Sequence, residues 1–144
     1  MTKRKTLRIL LWIVLIGIIV GISAVYYVFN KPHRNIAKED AAYTVTARDL
    51  IAEFKTDENA ATAKYRDKVI SVTGIIKGIR TLDNHNMVFS LEDQMEGVSC
   101  TVDSVDVVNN RSKLDLFTTD ALAGFKGRCT GMLMDIQLTD CVPE

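Results

Sequence analysis

The chain has 144 residues, and its 18 Lys and Arg balance its 18 Asp and Glu, so its formal net charge at pH 7 is zero. This length suits one compact domain with an accessory segment and excludes two comfortable domains. The residues after Arg8 hold all 18 acidic side chains but only 14 of the 18 basic ones, a net charge of −4. This balance argues against a nucleic-acid-binding domain, which is typically basic.

The N-terminal region is an uncharged run from Ile9 to Phe29, preceded by the cations Lys3, Arg4, Lys5 and Arg8. These 21 residues would span about 31 Å as a helix, which matches the hydrocarbon core of a bilayer. Positive charges favour the cytoplasmic side of a membrane. We therefore predict a cytoplasmic basic tail at residues 1–8, a transmembrane helix at residues 9–29 and an exported remainder.

A cleaved secretory signal is the alternative, because Gly21, Ile22 and Ser23 supply small residues at a plausible cleavage position. The apolar run continues past Ser23 to Phe29, which is longer than the usual apolar part of a signal peptide, about 7 to 15 residues. A retained signal-anchor is favoured.

Residues 30–45 are predicted to be a short linker, and residues 46–144 the folded domain. Thr46 can cap a helix together with Asp49, and a second capping signal lies at Thr56 or Asp57. The first segment carries an apolar stripe of Leu50, Ile51 and Phe54. We expect two short helices or one kinked helix.

Strand signals begin at Val69, in a segment to Ile79 that is rich in β-branched residues and interrupted by Gly74 and Gly78. Glycine within a strand often marks a bend or bulge, so this first strand is expected to curl. Alternating patterns predict two further strands over residues 87–92 and 98–103.

The stretch from Val105 to Gly124 is irregular, and Ser112 could cap a short helix there that carries Leu114 and Phe117. Residues 125–132 and 135–142 then read as two strands. Three strands, a helical or irregular connection and two more strands is the order of an OB-fold barrel. A small α+β sandwich with an open sheet is the rival.

We therefore predict a mainly β protein with N-terminal helices. Its core would be a five-stranded OB-fold barrel preceded by one or two short helices, with one N-terminal transmembrane helix.

Several motifs resemble the bacterial tRNA-anticodon-like (tRNA_anti-like) OB-fold family: Lys68-Val-Ile-Ser-Val-Thr-Gly74, Gly97-Val-Ser-Cys100, Lys126-Gly-Arg-Cys-Thr-Gly131 and Asp135-Ile-Gln-Leu138. The resemblance covers roughly residues 46 to 142. It implies a membrane-anchored or lipoprotein-type envelope protein. Together with the predicted transmembrane helix, we expect a single-pass protein of the bacterial inner membrane with a cytoplasmic N-terminus and a periplasmic or extracellular domain. The chain has no Cys directly after its apolar run, which favours a protein anchor over a lipid anchor. The family supplies no catalytic motif.

OB-folds commonly hold single strands with a basic groove and stacking aromatic rings. The second and third predicted strands contribute Phe89 as their aromatic residue, and its alternation with Met87 and Leu91 directs it inward. A small basic ligand patch is conceivable from four cations, Lys77, Arg80, Lys126 and Arg128. Scattered surface cations are the commoner meaning of such residues.

Cys129 and Cys141 fall nearly opposite each other in the last predicted hairpin, and a disulfide between them would close a loop of 13 residues. Such a loop is worth about 3 kcal/mol in the chain-entropy model. Cys141 is out of phase with inward Ile136 and Leu138 unless a bulge intervenes. Pairing of either residue with Cys100, or three free buried thiols, stays open.

The two histidines, His33 and His85, lie in the linker and in a turn, so we predict no metal site, no cofactor and no enzyme activity. The expected function is a membrane-anchored extracytoplasmic OB-fold binding or assembly module, with an envelope protein, a peptide or a glycan as its partner. The alternative is a single-stranded nucleic-acid-binding OB-fold protein. The oligomeric state stays open.

Overall fold

The computed structural model describes residues 2–29 and 36–144. The chain divides into two compact units, Met1–Arg34 and Asn35–Glu144.

The first unit contains one helix, α1, which spans Thr2–Phe29. Large apolar side chains between residues 12 and 27 are exposed along it, and their exposed fractions run from 49% at Leu15 to 73% at Tyr27. Within the described ranges, no helix combines the length and the apolar character that crossing a membrane requires. The transmembrane helix predicted over residues 9–29 is therefore not confirmed.

The second unit is mainly β. After a 3-10 turn at Ile36–Lys38, its elements are, in chain order, β1 (Tyr43–Thr46), α2 (Ala47–Thr56), α3 (Glu58–Tyr65), β2 (Val69–Thr81), β3 (Met87–Leu91), β4 (Val98–Val102), α4 (Ser104–Asn109), α5 (Arg111–Leu114), β5 (Leu122–Met132) and β6 (Ile136–Pro143).

The last five strands form a closed barrel. Their order is β2-β3-β4-β6-β5, and β5 pairs back to β2. All neighbouring pairs in this ring are antiparallel except β4 and β6, which are parallel. Three strands, a helical connection and two strands closed in this order define an OB-fold. The five-stranded barrel is therefore confirmed, and the open sandwich is excluded.

The bend in β2 allows the barrel to close. Its first half, from Val69 to Ile75, pairs with β5, and its second half pairs with β3. The register shifts between Ile76 and Gly78, so the predicted bend occurs at one of the two glycines. Alternate residues then face one shared core, whose largest fully buried members include Phe89, Phe125, Ile70, Ile76 and Leu138.

Helices cover both ends of the barrel. The predicted caps of α2 and α3 are present, since Thr46 accepts a hydrogen bond from the amide of Asp49 and Asp57 accepts one from Ala60. α2 lies at the end that carries the β3–β4 loop, where Lys55 pairs with Glu96 at 3.1 Å. α4 and α5 lie at the other end, beside the β2–β3 turn.

The predicted linker is partly built into the domain. Its residues 30–35 lie outside the described residues, but Ile36 is buried with Val69 and Val142 on the outside of the barrel. Further along, Tyr43–Thr46 forms β1, a short strand parallel to the first half of β2. A four-residue strand with a distant partner gives too little local pattern to be recognised.

The irregular stretch also differs from expectation. It contains two short helices, and the second begins after Asn110 rather than at Ser112. Leu114 is buried as expected. Phe117 follows the helix and packs edge-on against Phe125, with ring centroids 5.5 Å apart.

Gly74 provides a stability test, because an added Cβ there would lie 2.7 Å from the Cβ of Ala47 at the start of α2. We expect Gly74→Ala to lower the free energy of unfolding by about 1–3 kcal/mol through overpacking. Gly78→Ala is the matched control, since its Cβ would meet its nearest neighbour, Gln94, at an ordinary 3.5 Å. Thermal unfolding by circular dichroism measures both. Equal unfolding temperatures for the two variants would contradict the tight contact.

Candidate binding site

The outer face of β3 and β4 is the surface that OB-folds commonly use for oligonucleotides. Here it carries small side chains, with Val88 opposite Thr101 and Ser90 opposite Ser99. Val88, Ser90 and Ser99 are also buried. The aromatic ring of β3 points the other way: Phe89 is fully buried and lies 4.9 Å from the ring of Phe125. These two strands therefore offer no ring on which a base can stack.

The four cations of the predicted ligand patch lie at two ends of β2. Lys126 and Arg128 on β5 are in register with Ser71 and Val69, near the start of that strand. Lys77 follows Ser71 by six residues, which corresponds to about 20 Å along a strand. The register therefore does not bring the four together into one patch.

Three of these cations already have partners. Lys77 pairs with Asp120 at 2.6 Å, and Arg128 pairs with Asp140 at 3.3 Å. Lys126 donates to the carbonyl oxygen of Ala37 at 3.1 Å, which fixes the 3-10 turn to the barrel. Arg80 is exposed on β2. A phosphate-bearing ligand would have to displace these contacts.

A groove of about 720 Å³ lies between the β2–β3 turn and the helices α4 and α5. This size is within the usual range for ligand pockets, about 300–1,000 Å³. The turn beside it is the first connecting loop of the barrel, which contributes to ligand binding in OB-folds. We call it the turn–helix groove. Its apolar lining consists of Met87, Val105, Val107, Val108 and Leu114.

The groove carries little charge. The charged residues that line it, in the described part of the chain, are Arg111 and Asp115, and they form an ion pair at 3.8 Å. Val105 and Val108 are 64% and 70% exposed, so their side chains are available to a ligand. A neutral, largely apolar groove is suited to apolar side chains rather than to phosphates.

One residue fixes the two walls of the groove to each other. The side chain of Asn86, at the end of the β2–β3 turn, donates to Asp103 at 3.0 Å and accepts from the amide of Ser104 at 2.9 Å. The turn is also shaped by His85, which has a positive φ of 65°. The shape of the groove thus depends on a side chain that does not line it.

Sequence reasoning missed the turn–helix groove. The pattern of Val105, Val107 and Val108 was visible, but it fits no regular strand or helix face, and nothing local shows that the turn before Met87 lies across from it. The usable signal was Asn86, since a turn asparagine directly before a strand often bonds to a neighbouring backbone.

All three cysteines are buried and free. Asp140 has a positive φ of 54°, and the register of β5 and β6 shifts beside it. Cys141 thereby becomes fully buried, as the bulge alternative required. The partner of Cys129 in register is Leu138, not Cys141.

The thiol of Cys141 is in hydrogen-bond contact with Cys100. Burial is the main cause that raises the pKa of Cys141 well above its ordinary value, and the contact with Cys100 is the second. Burial also raises the pKa of Cys129. Both therefore stay protonated and unreactive in the folded barrel. The predicted disulfide is not confirmed and stays a prediction.

The strand order of the barrel and its helical connection define an OB-fold domain. The sequence profile of the tRNA_anti-like family matches residues 1–142, so the chain belongs to this family. The family match includes the N-terminal helix as well as the barrel. No curated protein sequence matches the chain.

Several solved structures are similar to parts of the chain at low sequence identity. A putative nucleic acid-binding lipoprotein from Klebsiella pneumoniae is 14% identical, with a TM-score of 0.57 over 70% of this chain and 90% of that chain. OBody AM3L09, bound to hen egg-white lysozyme, is 9% identical, with a TM-score of 0.42 over 56% and 84%. OBody AM3L15, bound to the same protein, is 11% identical, with a TM-score of 0.40 over 55% and 78%.

The bridging role of Asn86 can be tested by its removal. We expect Asn86→Ala to lower the free energy of unfolding by roughly 1–3 kcal/mol, because it leaves the amide of Ser104 without this acceptor. Asn109→Ala is the control, since Asn109 lines the same groove but is exposed. Chemical denaturation of both variants gives the comparison. An unchanged Asn86→Ala midpoint would show that the walls are held by other contacts.

Proposed function

We propose that this protein is an OB-fold binding module of the bacterial envelope that accepts an apolar segment of a protein or peptide in the turn–helix groove. The observation that carries the proposal is a groove of about 720 Å³ that combines an apolar lining with one internally paired ion pair. It acts by binding, without catalysis.

A protein or peptide ligand fits this surface better than a nucleic acid. The β3–β4 face lacks a stacking ring, and the residues after Arg8 carry a net charge of −4. Single-stranded nucleic acid is the alternative ligand, and the Klebsiella protein carries the name of a nucleic acid-binding lipoprotein. At 14% identity the two proteins are alike in fold alone, so the ligand of this chain must be tested directly.

We further propose that residues 9–29 attach the domain to the inner membrane and place it outside the cytoplasm. The support is the uncharged sequence from Ile9 to Phe29 and the four cations before it. A module held there would find its partners among envelope proteins.

Peptide selection tests the groove. We expect peptides selected on the full chain to share closely spaced apolar residues, and Val105→Asp with Val108→Asp to weaken their binding by at least about tenfold, since the buried charges would lack partners. Leu122→Asp is the control, because Leu122 is 71% exposed on β5. Fluorescence anisotropy measures the affinities.

Two results would contradict the proposed ligand class. One is peptide binding that Val105→Asp and Val108→Asp leave unchanged. The other is micromolar binding of single-stranded oligonucleotides by the full chain that falls steeply as salt is raised, which would show that phosphate contacts dominate.

The native cysteines allow a clean topology experiment, because all three are buried and should not react with a membrane-impermeant maleimide. Met134→Cys places a thiol at a position that is 70% exposed, and we expect it to be labelled in intact cells. Thr6→Cys lies in the predicted basic tail and should be labelled only after the cells are lysed. Labelling is measured by gel shift. The reverse pattern would place the domain in the cytoplasm.

A further inference from the structure

A second exposed surface lies at the end of the barrel opposite the turn–helix groove. Three large apolar side chains there are exposed to solvent: Met95 at 67%, Leu133 at 84% and Met134 at 70%. We call these three residues the apolar tip. Exposed apolar residues that cluster on one surface commonly mark an interaction site.

The strand pairing brings the three residues to one end. Met95 lies in the β3–β4 loop, whereas Leu133 and Met134 lie in the β5–β6 turn. The amide of Ile136 donates to the carbonyl oxygen of Gly97 at 3.0 Å, and Val98 is in register with Ile136. The two loops therefore enter neighbouring parallel strands side by side.

Both loops are held in place by their own hydrogen bonds. The carboxylate of Asp93 accepts from the amides of Met95 at 2.8 Å and Glu96 at 3.1 Å, and these bonds lower the pKa of Asp93. In the other loop, the amide of Leu133 donates to the carbonyl oxygen of Asp135 at 3.2 Å. The tip is thus presented by ordered turns, which reduces the entropy lost on binding.

The surroundings of the tip are acidic. Its two loops contain the carboxylates of Glu92, Asp93, Glu96 and Asp135. Two cations of α2 face them, since Arg48 pairs with Glu92 and Lys55 pairs with Glu96. Four carboxylates against two cations leave an excess of negative charge, which repels an anionic lipid surface and attracts a basic partner.

We propose that the apolar tip is a docking surface for a basic amphipathic segment of a partner protein. Methionine side chains are flexible and polarizable, so they adapt to varied apolar faces. The carboxylates around them would pair with Lys or Arg flanking that face. This surface is separate from the turn–helix groove, so the proposal does not depend on the proposed ligand of the groove.

The test uses the full chain in nanodiscs of zwitterionic phosphatidylcholine, with empty discs as background. The probe is a short labelled peptide with Leu and Lys at helical spacing, and a peptide with Glu in place of Lys is its charge-reversed control. We expect the Leu/Lys peptide to bind and the Leu/Glu peptide not to bind. Anisotropy should show that the triple variant Met95→Ser, Leu133→Ser, Met134→Ser binds it at least about tenfold more weakly. Leu122→Ser, at another exposed position, should bind it normally.

A charge variant gives a second, independent readout. Glu96→Gln with Asp135→Asn should weaken binding of the Leu/Lys peptide and flatten its dependence on salt. Circular dichroism of each variant verifies the fold.

Four outcomes would overturn the proposal. They are unchanged affinity in the triple variant, equal binding of the Leu/Glu peptide, tip-dependent binding to phosphatidylserine vesicles, and tip-dependent self-association in light scattering. The last two would assign the surface to lipid or to a second copy of the chain.

Discussion

The closure of the barrel depends on β2, which hydrogen-bonds to three other strands. Its first half pairs with β5 and β1, and its second half pairs with β3. β2 can close the ring, with its first half on β5 and its second half on β3, because its backbone bends where the register shifts, between Ile76 and Gly78. Gly74 then lets α2 approach closely. The end of β2 at Thr81 lines the turn–helix groove, and its middle residue Ile75 accepts a hydrogen bond from the amide of Glu92 in the β3–β4 loop of the apolar tip.

The same packing decides what the outer surface can bind. Phe89, Phe117 and Phe125 pack against one another with ring centroids 4.9 to 6.0 Å apart, and they fill the barrel. Because the aromatic ring of β3 is used for the core, the face that other OB-folds devote to bases is left with Val88, Ser90, Ser99 and Thr101. An aromatic ring on β3 can either pack in the core or stack on a base, and in this protein it packs in the core.

Local signals in the sequence predicted most of the fold. Capping residues, alternation and the glycines of β2 each act over a few neighbours, so the two helices, the five barrel strands and the bend were accessible without coordinates. The parity of Cys141 left a bulge open as one alternative, and the structure has a register shift beside Asp140. The parts that were missed join distant segments: β1 needs β2 as its partner, and the turn–helix groove needs Asn86 to meet Ser104. The predicted basic patch shows the same limit. Lys126 and Arg128 lie beside the start of β2, whereas Lys77 and Arg80 lie in its second half.

The place of β6 in the barrel has a consequence for biogenesis. It is the last strand of the ring in chain order, yet it lies between β4 and β5. During synthesis, at about 5–20 residues per second, the preceding strands emerge while the edge of β4 has no neighbour. The nascent domain therefore exposes the unpaired backbone edge of β4, which is prone to aggregation, until residues 136–143 are synthesised. A holding chaperone would protect the chain during that interval.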